Sequence, residues 1–133
     1  MSNIKIHLLG ATGSIGTSTL AVLNHFEEIR FRKYCIHSLT TNRNVELLTK
    51  IASQYTPRAV ACVSGVSTNI SFLKEYLGSD SVENLIINEV SSGDMVLNGL
   101  VGSSGIRPTL ASLDAGADVA LANKETLVAA GEL

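Results

Sequence analysis

Cysteine is scarce in this sequence: Cys35 and Cys62 are the only two among 133 residues, and each lies inside a strand-like apolar run. That argues against a disulfide framework and for a reducing compartment, so the expected location is cytoplasmic and both thiols are expected to serve as small core hydrophobes. No apolar run approaches the ~18 residues a membrane span requires, so no membrane partner is expected. The N-terminal stretch has neither the long apolar segment of a secretion signal nor an Arg-rich transit pattern. Charge is sparse too. Charged residues make up 17%, with 10 Lys+Arg against 12 Asp+Glu, and no basic cluster runs along a face, which removes the electrostatic case for a nucleic-acid partner. Asp, Glu and His never occur at metal-ligand spacing. His7, His25 and His37 are scattered and read as structural. Asp80, Glu83, Glu89 and Asp94 read as a solvated face.

Apolar residues supply 45% of the chain, and the mean hydropathy is +0.27. Such a chain builds one globular domain with its own core and is not disordered. Short apolar runs alternate with segments of helical period. Strands are predicted at Ile4–Leu9, Tyr34–Leu39, Ala59–Val63, Leu85–Ile87, Met95–Val101 and Val119–Ala122. Helices are predicted from Ser14 to Phe26, with Ile15, Thr19, Val22, Leu23 and Phe26 as the apolar stripe, and after a cap at Asn44, with Leu48, Ile51, Ala52 and Tyr55 on one face. A third helix is predicted where Ile70, Leu73, Tyr76 and Leu77 align and Gly78 can end it. A short one has Pro108 in its first turn, and a last one runs from Lys124 to Ala130. The alternation predicts an α/β fold, Rossmann-like and doubly wound, with a mostly parallel sheet and helices on both faces. The last helix reads as cut short at Glu132-Leu133, so residues 1–133 are expected to be one domain of a longer protein.

Gly10-Ala11-Thr12-Gly13-Ser14-Ile15-Gly16 follows the first strand and opens the first helix. The spacing Gly-x-x-Gly-x-x-Gly is a variant of the dinucleotide fingerprint. Gly10 allows the tight turn, Gly13 lets a diphosphate approach the backbone, and Gly16 lets the helix pack close to the sheet. Amides of the first turn, at Ser14 and Ile15, lack intrahelical partners, and the helix dipole favours an anion beside them. The hydroxyls of Thr12 and Ser14 can add donors. The second strand ends in Thr40-Thr41-Asn42-Arg43-Asn44, without the acid that usually binds the NAD ribose. A carboxylate there would repel a 2′-phosphate, whereas Arg43 attracts it and Thr40, Thr41, Asn42 and Asn44 can donate further bonds. This favours NADPH over NADH.

Four blocks carry a closer resemblance: Leu9 to Gly16, Thr41 to Leu48, Val101-Gly102-Ser103-Ser104-Gly105-Ile106-Arg107-Pro108-Thr109-Leu110, and Leu121-Ala122-Asn123-Lys124-Glu125-Thr126-Leu127-Val128. In this order they resemble the 1-deoxy-D-xylulose 5-phosphate reductoisomerase family. The resemblance implies an enzyme of non-mevalonate isoprenoid biosynthesis. It rearranges the phosphosugar 1-deoxy-D-xylulose 5-phosphate and reduces the product with NADPH to 2-C-methyl-D-erythritol 4-phosphate. It further implies a divalent metal, Mg or Mn, held by a following domain, and a homodimer. By position, Thr12, Gly13, Ser14 and Ile15 would hold the diphosphate region, and Asn42, Arg43 and Asn44 the 2′-phosphate end. Gly102 to Gly105 would approach the cofactor, Asn123 and Glu125 would touch its nicotinamide side, and Lys124 would face the substrate. Two departures stand out. Asn42 replaces a common Gly, and the stretch from Ser79 to Asn98 reads as if a helix had been trimmed. With no metal cluster in sight, the chain alone is expected to bind NADPH and catalyse nothing. Two other readings remain open. One is the cofactor domain of another NADP-dependent oxidoreductase, such as a semialdehyde dehydrogenase, which needs an activated loop cysteine. The other is a non-enzymatic NADPH-binding module.

Overall fold

The computed structural model describes residues 4–28 and 34–121. In chain order the elements are β1 (Ile4–Leu9), α1 (Ser14–Glu28), β2 (Tyr34–Thr41), α2 (Val45–Tyr55), β3 (Ala59–Cys62), β4 (Lys74–Leu77), α3 (Ser81–Glu89), β5 (Met95–Asn98), a 3₁₀ turn (Gly102–Gly105), α4 (Ile106–Asp114) and β6 (Asp118–Leu121). The six strands form one parallel sheet in the order β4-β3-β2-β1-β5-β6. This is the doubly wound arrangement that the sequence predicts. The chain walks outward from β1 to β4, then returns to the far side of β1 to place β5. The winding therefore reverses between β1 and β5, and the carboxyl ends of those strands frame a crevice.

Strand side chains alternate between two apolar layers, as a sheet covered on both faces requires. Leu8, Leu39, Val60 and Cys62 pack with Leu20 of α1 and Leu48, Ile51 and Ala52 of α2. Leu9, Ala59, Ala61 and Val96 pack on the opposite face with Val82, Leu85 and Ile86 of α3. Asn44 caps α2, its Oδ1 accepting from the Leu47 amide at 3.1 Å. The stripe predicted for α1 is corrected. Leu20 is buried, whereas Ile15 and Val22 are exposed, because Gly16 rather than a bulky residue sets the face against the sheet. The Phe26 side chain, the predicted Lys124–Ala130 helix and the Asn123, Lys124 and Glu125 positions lie outside the described residues.

Between residues 64 and 89 the structure reverses the prediction. The expected helix at Ile70–Leu77 is a loop followed by the edge strand β4, and the expected strand at Leu85–Ile87 is the middle of α3. The Glu75 carboxylate organises the loop. It accepts from Ser67 Oγ at 2.6 Å and from the Thr68 amide and hydroxyl at 2.8 Å each. Burial opposes its ionisation, yet these donors together hold its carboxyl below the usual range. Side-chain oxygens at Ser67 and Thr68 also take the amides of Asn69 and Ile70, replacing helical partners. The helix expected to be missing after Ser79 is therefore present as α3. Val82, Leu85 and Ile86 face the core while Ile87 is 71% exposed, a helical rather than a two-residue period.

The acids of this region also depart from expectation. Asp80 is exposed, but Glu89 and Asp94 join a polar network beneath α3. His7 lies fully buried in β1, with Nδ1 2.7 Å from Ser38 Oγ and Nε2 2.9 Å from Asp94 Oδ2. His37 Nε2 approaches Glu89 at 3.2 Å, and Glu89 also accepts from Tyr76 Oη at 2.6 Å and from Lys74 at 3.3 Å. A bulge makes this possible. Ile6 pairs with Ile36 but His7 pairs with Ser38, so His37 is the extra residue and its ring lies 5.0 Å from that of His7. His7 and His37 thus serve structural contacts within the sheet. Cys62 is a core residue, but Cys35 is exposed, contrary to the expectation for both thiols.

Burial lowers the His7 pKa below 6.5; the Asp94 bond opposes this and the neighbouring His37 adds to it. The His7–Asp94 contact is thus a neutral imidazole N–H donated to a carboxylate, with Nδ1 accepting from Ser38. Because the folded pKa is depressed, the native state binds fewer protons than the unfolded chain. The stability it confers is complete above pH 6.5 and is lost as the pH falls below that value. Denaturant unfolding between pH 7.5 and 5.5 should show a loss of up to about 1.4 kcal/mol per pH unit from this group. His7→Gln, which cannot take up a proton, should flatten that slope.

Candidate functional site

The crevice at the reversal point is a cleft of about 470 Å³. Its floor is the carboxyl ends of β1 and β2 with the turns that follow them: Gly10, Thr12, Gly13, Thr40, Thr41 and Asn42. Its far wall comes from the β5 exit (Gly99, Leu100, Val101, Ser103, Ser104), the first turn of α4 (Arg107, Pro108) and the start of α3 (Val82, Glu83). Much of that wall is apolar, and Val101 is 81% exposed.

Close backbone approach builds the turn. Gly10 takes φ +78°, and a Cβ on it would lie 3.1 Å from the Gly99 carbonyl oxygen. Gly99 donates its amide to the Leu9 carbonyl at 2.9 Å, so the exits of β1 and β5 are locked together. A Cβ on Gly16 would fall 2.2 Å from the Gly10 carbonyl oxygen and 2.7 Å from Ala11 Cα. Gly13 differs: its nearest such neighbour, again the Gly10 oxygen, is 3.6 Å away, and Gly13 lines the cleft. Gly10 and Gly16 therefore serve the turn and its packing, as predicted, while Gly13 lines the cleft and has room for a Cβ.

The threonines lining the cleft also brace the turn. Thr40 Oγ1 accepts from the Gly10 amide at 2.9 Å, and the Thr40 carbonyl accepts from the Ala11 amide at 2.8 Å. Thr41 and Thr12 share a hydroxyl bond of 2.7 Å. These residues hold the glycine turn against β2. Asn98 braces the opposite wall. Its Nδ2 donates to the Gly105 carbonyl at 2.9 Å and to Thr109 Oγ1 at 2.7 Å, and its Oδ1 accepts from the Leu100 amide.

Of the predicted site residues, Gly10, Thr12, Gly13 and Asn42 line the cleft. Ser14 and Ile15 head α1 at its edge and border a shallow groove with Ser18, Thr19 and Val22. Arg43 and Asn44 follow Asn42 beyond the rim, and Asn44 is occupied by its capping bond. Gly105 is buried under the wall, and Gly102 takes φ +67° to start the 3₁₀ turn, so Ser103 and Ser104 present that segment to the cleft. The sequence reading missed Val63, Ser79, Val82, Glu83, Gly99, Leu100, Val101, Arg107 and Pro108 as lining residues. Only the Asn-Gly pair closing β5 carried a local signal for any of them. Among the described residues no three His, Cys, Asp or Glu side chains are grouped to hold a metal. Burial, with a contribution from Glu75, pushes the Cys62 thiol up to about 11, which removes it as an activated nucleophile. Gly16→Ala should cost about 1–3 kcal/mol or more in denaturant unfolding, because backbone atoms block the methyl group. Gly13→Ala should leave stability within about 1 kcal/mol of wild type.

Comparison with known proteins agrees with this geometry. The family model described as 1-deoxy-D-xylulose 5-phosphate reductoisomerase matches residues 6–131. The protein of that name from Crocosphaera subtropica is 39% identical over 136 residues, covering 96% of this chain and 33% of its own length. The structure of the Zymomonas mobilis enzyme in complex with NADPH superposes with a TM-score of 0.82 at 29% identity, covering 98% of this chain and 35% of that one. A DOX-P reductoisomerase in complex with magnesium also gives 0.82, at 31% identity, over 99% of this chain and 34% of the other. The chain spans about a third of the length of the curated relatives it matches. No described helix is long and apolar enough to cross a membrane. A match covering nearly every residue, on a parallel sheet whose glycine turn opens onto the reversal point, places the chain in the 1-deoxy-D-xylulose 5-phosphate reductoisomerase family.

Proposed function

We propose that this chain is the NADPH-binding portion of a 1-deoxy-D-xylulose 5-phosphate reductoisomerase. The observation that carries the reading is the cleft between the β1 and β5 exits, with the first turn of α1 at its edge. Amides of Ser14 and Ile15, which no intrahelical carbonyl reaches, bind the diphosphate, and the absent Gly13 side chain leaves it room. Asn42 and Arg43 hold the 2′-phosphate at the rim. Asn44 joins them through Nδ2, since its Oδ1 is committed to Leu47. The serines of the 3₁₀ turn between Gly102 and Gly105 add donors on the far wall.

Bound NADPH supplies the hydride for the reduction. Asn123 and Glu125 are proposed to orient the nicotinamide end and Lys124 to bind the phosphosugar substrate. Among the described residues no group of side chains is placed to hold a divalent metal. The metal-binding and remaining substrate contacts are assigned to further domains of the whole enzyme, for which the family resemblance supports a cytoplasmic homodimer. On this reading residues 1–133 bind NADPH and do not turn over 1-deoxy-D-xylulose 5-phosphate by themselves.

Calorimetric titration tests the proposal. NADPH should bind more tightly than NADH. Arg43→Ala should weaken NADPH about tenfold or more while leaving NADH nearly unchanged, the loss of one charge-assisted bond. Gly13→Ala should weaken both cofactors while the fold survives. Absence of NADPH binding at millimolar cofactor would overturn the reading.

A further inference from the structure

Two charged side chains line the cleft, and the glycine-turn chemistry uses neither. Arg107 projects from the first turn of α4 and is exposed, and no acid pairs with it among the described residues. Glu83 lies half-buried in the first turn of α3 on the same wall. Between and around them the wall offers a largely apolar surface of Val63, Val82, Leu100, Val101 and Pro108, with Ser79, Ser103 and Ser104 beside it. An acid in a cleft meant for a phosphate-rich ligand repels that ligand unless it meets a donor. An apolar wall has no use for phosphate either, but it suits the flat face of a heteroaromatic base. The purine of a dinucleotide satisfies both conditions, with a π-face for the wall and an exocyclic amine for the carboxylate.

Resting on the dinucleotide reading above, we propose that Glu83 and Arg107 select the base. The Glu83 carboxylate accepts a hydrogen bond from the 6-amino group of adenine, and the Arg107 guanidinium lies over the ring face. A carboxylate can only accept. It therefore welcomes a 6-amino group and repels the 6-oxo group of hypoxanthine. The guanidinium carries no such preference, because either ring presents a π-face. The two residues divide the work: Glu83 discriminates between bases, and Arg107 adds affinity for any purine.

The test compares NADPH with its hypoxanthine counterpart, deamino-NADPH, by calorimetric titration. Wild type should favour NADPH by about tenfold or more, the loss of a charge-assisted bond. Glu83→Gln should bring that ratio close to one, since a primary amide can accept from the amine or donate to the oxo group. Arg107→Ala should weaken both cofactors alike, by about fivefold, and leave their ratio unchanged. Equal affinity of wild type for the two cofactors, or a ratio untouched by Glu83→Gln, would overturn the role of Glu83. Unchanged affinities in Arg107→Ala would overturn the role of Arg107. If neither cofactor bound wild type, the dinucleotide reading itself would fall. Binding of NADPH without base discrimination would sink only the present proposal.

Discussion

Backbone touching backbone at the reversal of the sheet is the constraint from which the rest of this structure follows. The exits of β1 and β5 approach so closely that a side chain on Gly10 would be crowded as well as strained at its φ of +78°, and the start of α1 approaches so closely that Gly16 has room for none. Dispersion and hydrogen bonding at such short range are available only to residues without a Cβ. That contact aims the first turn of α1 at the space above the sheet and fixes the distance between the glycine turn and the far wall. Thr40 and Asn98, at the ends of the flanking strands, are bonded into the two sides and keep them in place. The cleft is thus a by-product of where the winding of the open sheet reverses.

A second set of polar residues lies toward the opposite end of the strands. His7, Ser38, Asp94, His37, Glu89, Tyr76 and Lys74 span the sheet from the start of β5 to β4 beneath the C-terminal end of α3. Buried polar groups are tolerable only when partnered, and here the bulge at His37 supplies the geometry that partners both rings. The network makes the position of α3 specific, which matters for the cleft because the other end of that helix carries Val82 and Glu83.

Much of this was legible in the sequence. The first strand, the glycine spacing and the helix after it could be read because each step leaves a local mark: an apolar run, a residue lacking a side chain, a helical period. Asn44 announced its cap for the same reason. The stretch from 64 to 89 was misread at both of its elements. Ile70, Leu73, Tyr76 and Leu77 have helical spacing, but Glu75 draws the preceding loop onto itself and β3 offers a free edge for β4 to pair with. Leu85-Ile86-Ile87 is a short apolar run, which is ambiguous between strand and helix until the neighbours that bury it are known. Glu89 and Asp94 looked like surface acids because their histidine partners are 52 and 87 residues away in the chain.

What the sequence determined by itself was the α/β alternation, the glycine turn and the start of α1 behind it, since residues a few positions apart encode all three. Only the tertiary structure decided that the exits of β1 and β5 lie side by side, that Arg107 and Glu83 share one wall, and that Thr40 and Thr41 brace the glycine turn. Strand order cannot be written in local periodicity. It is settled by which apolar faces and free strand edges find one another when the whole chain packs.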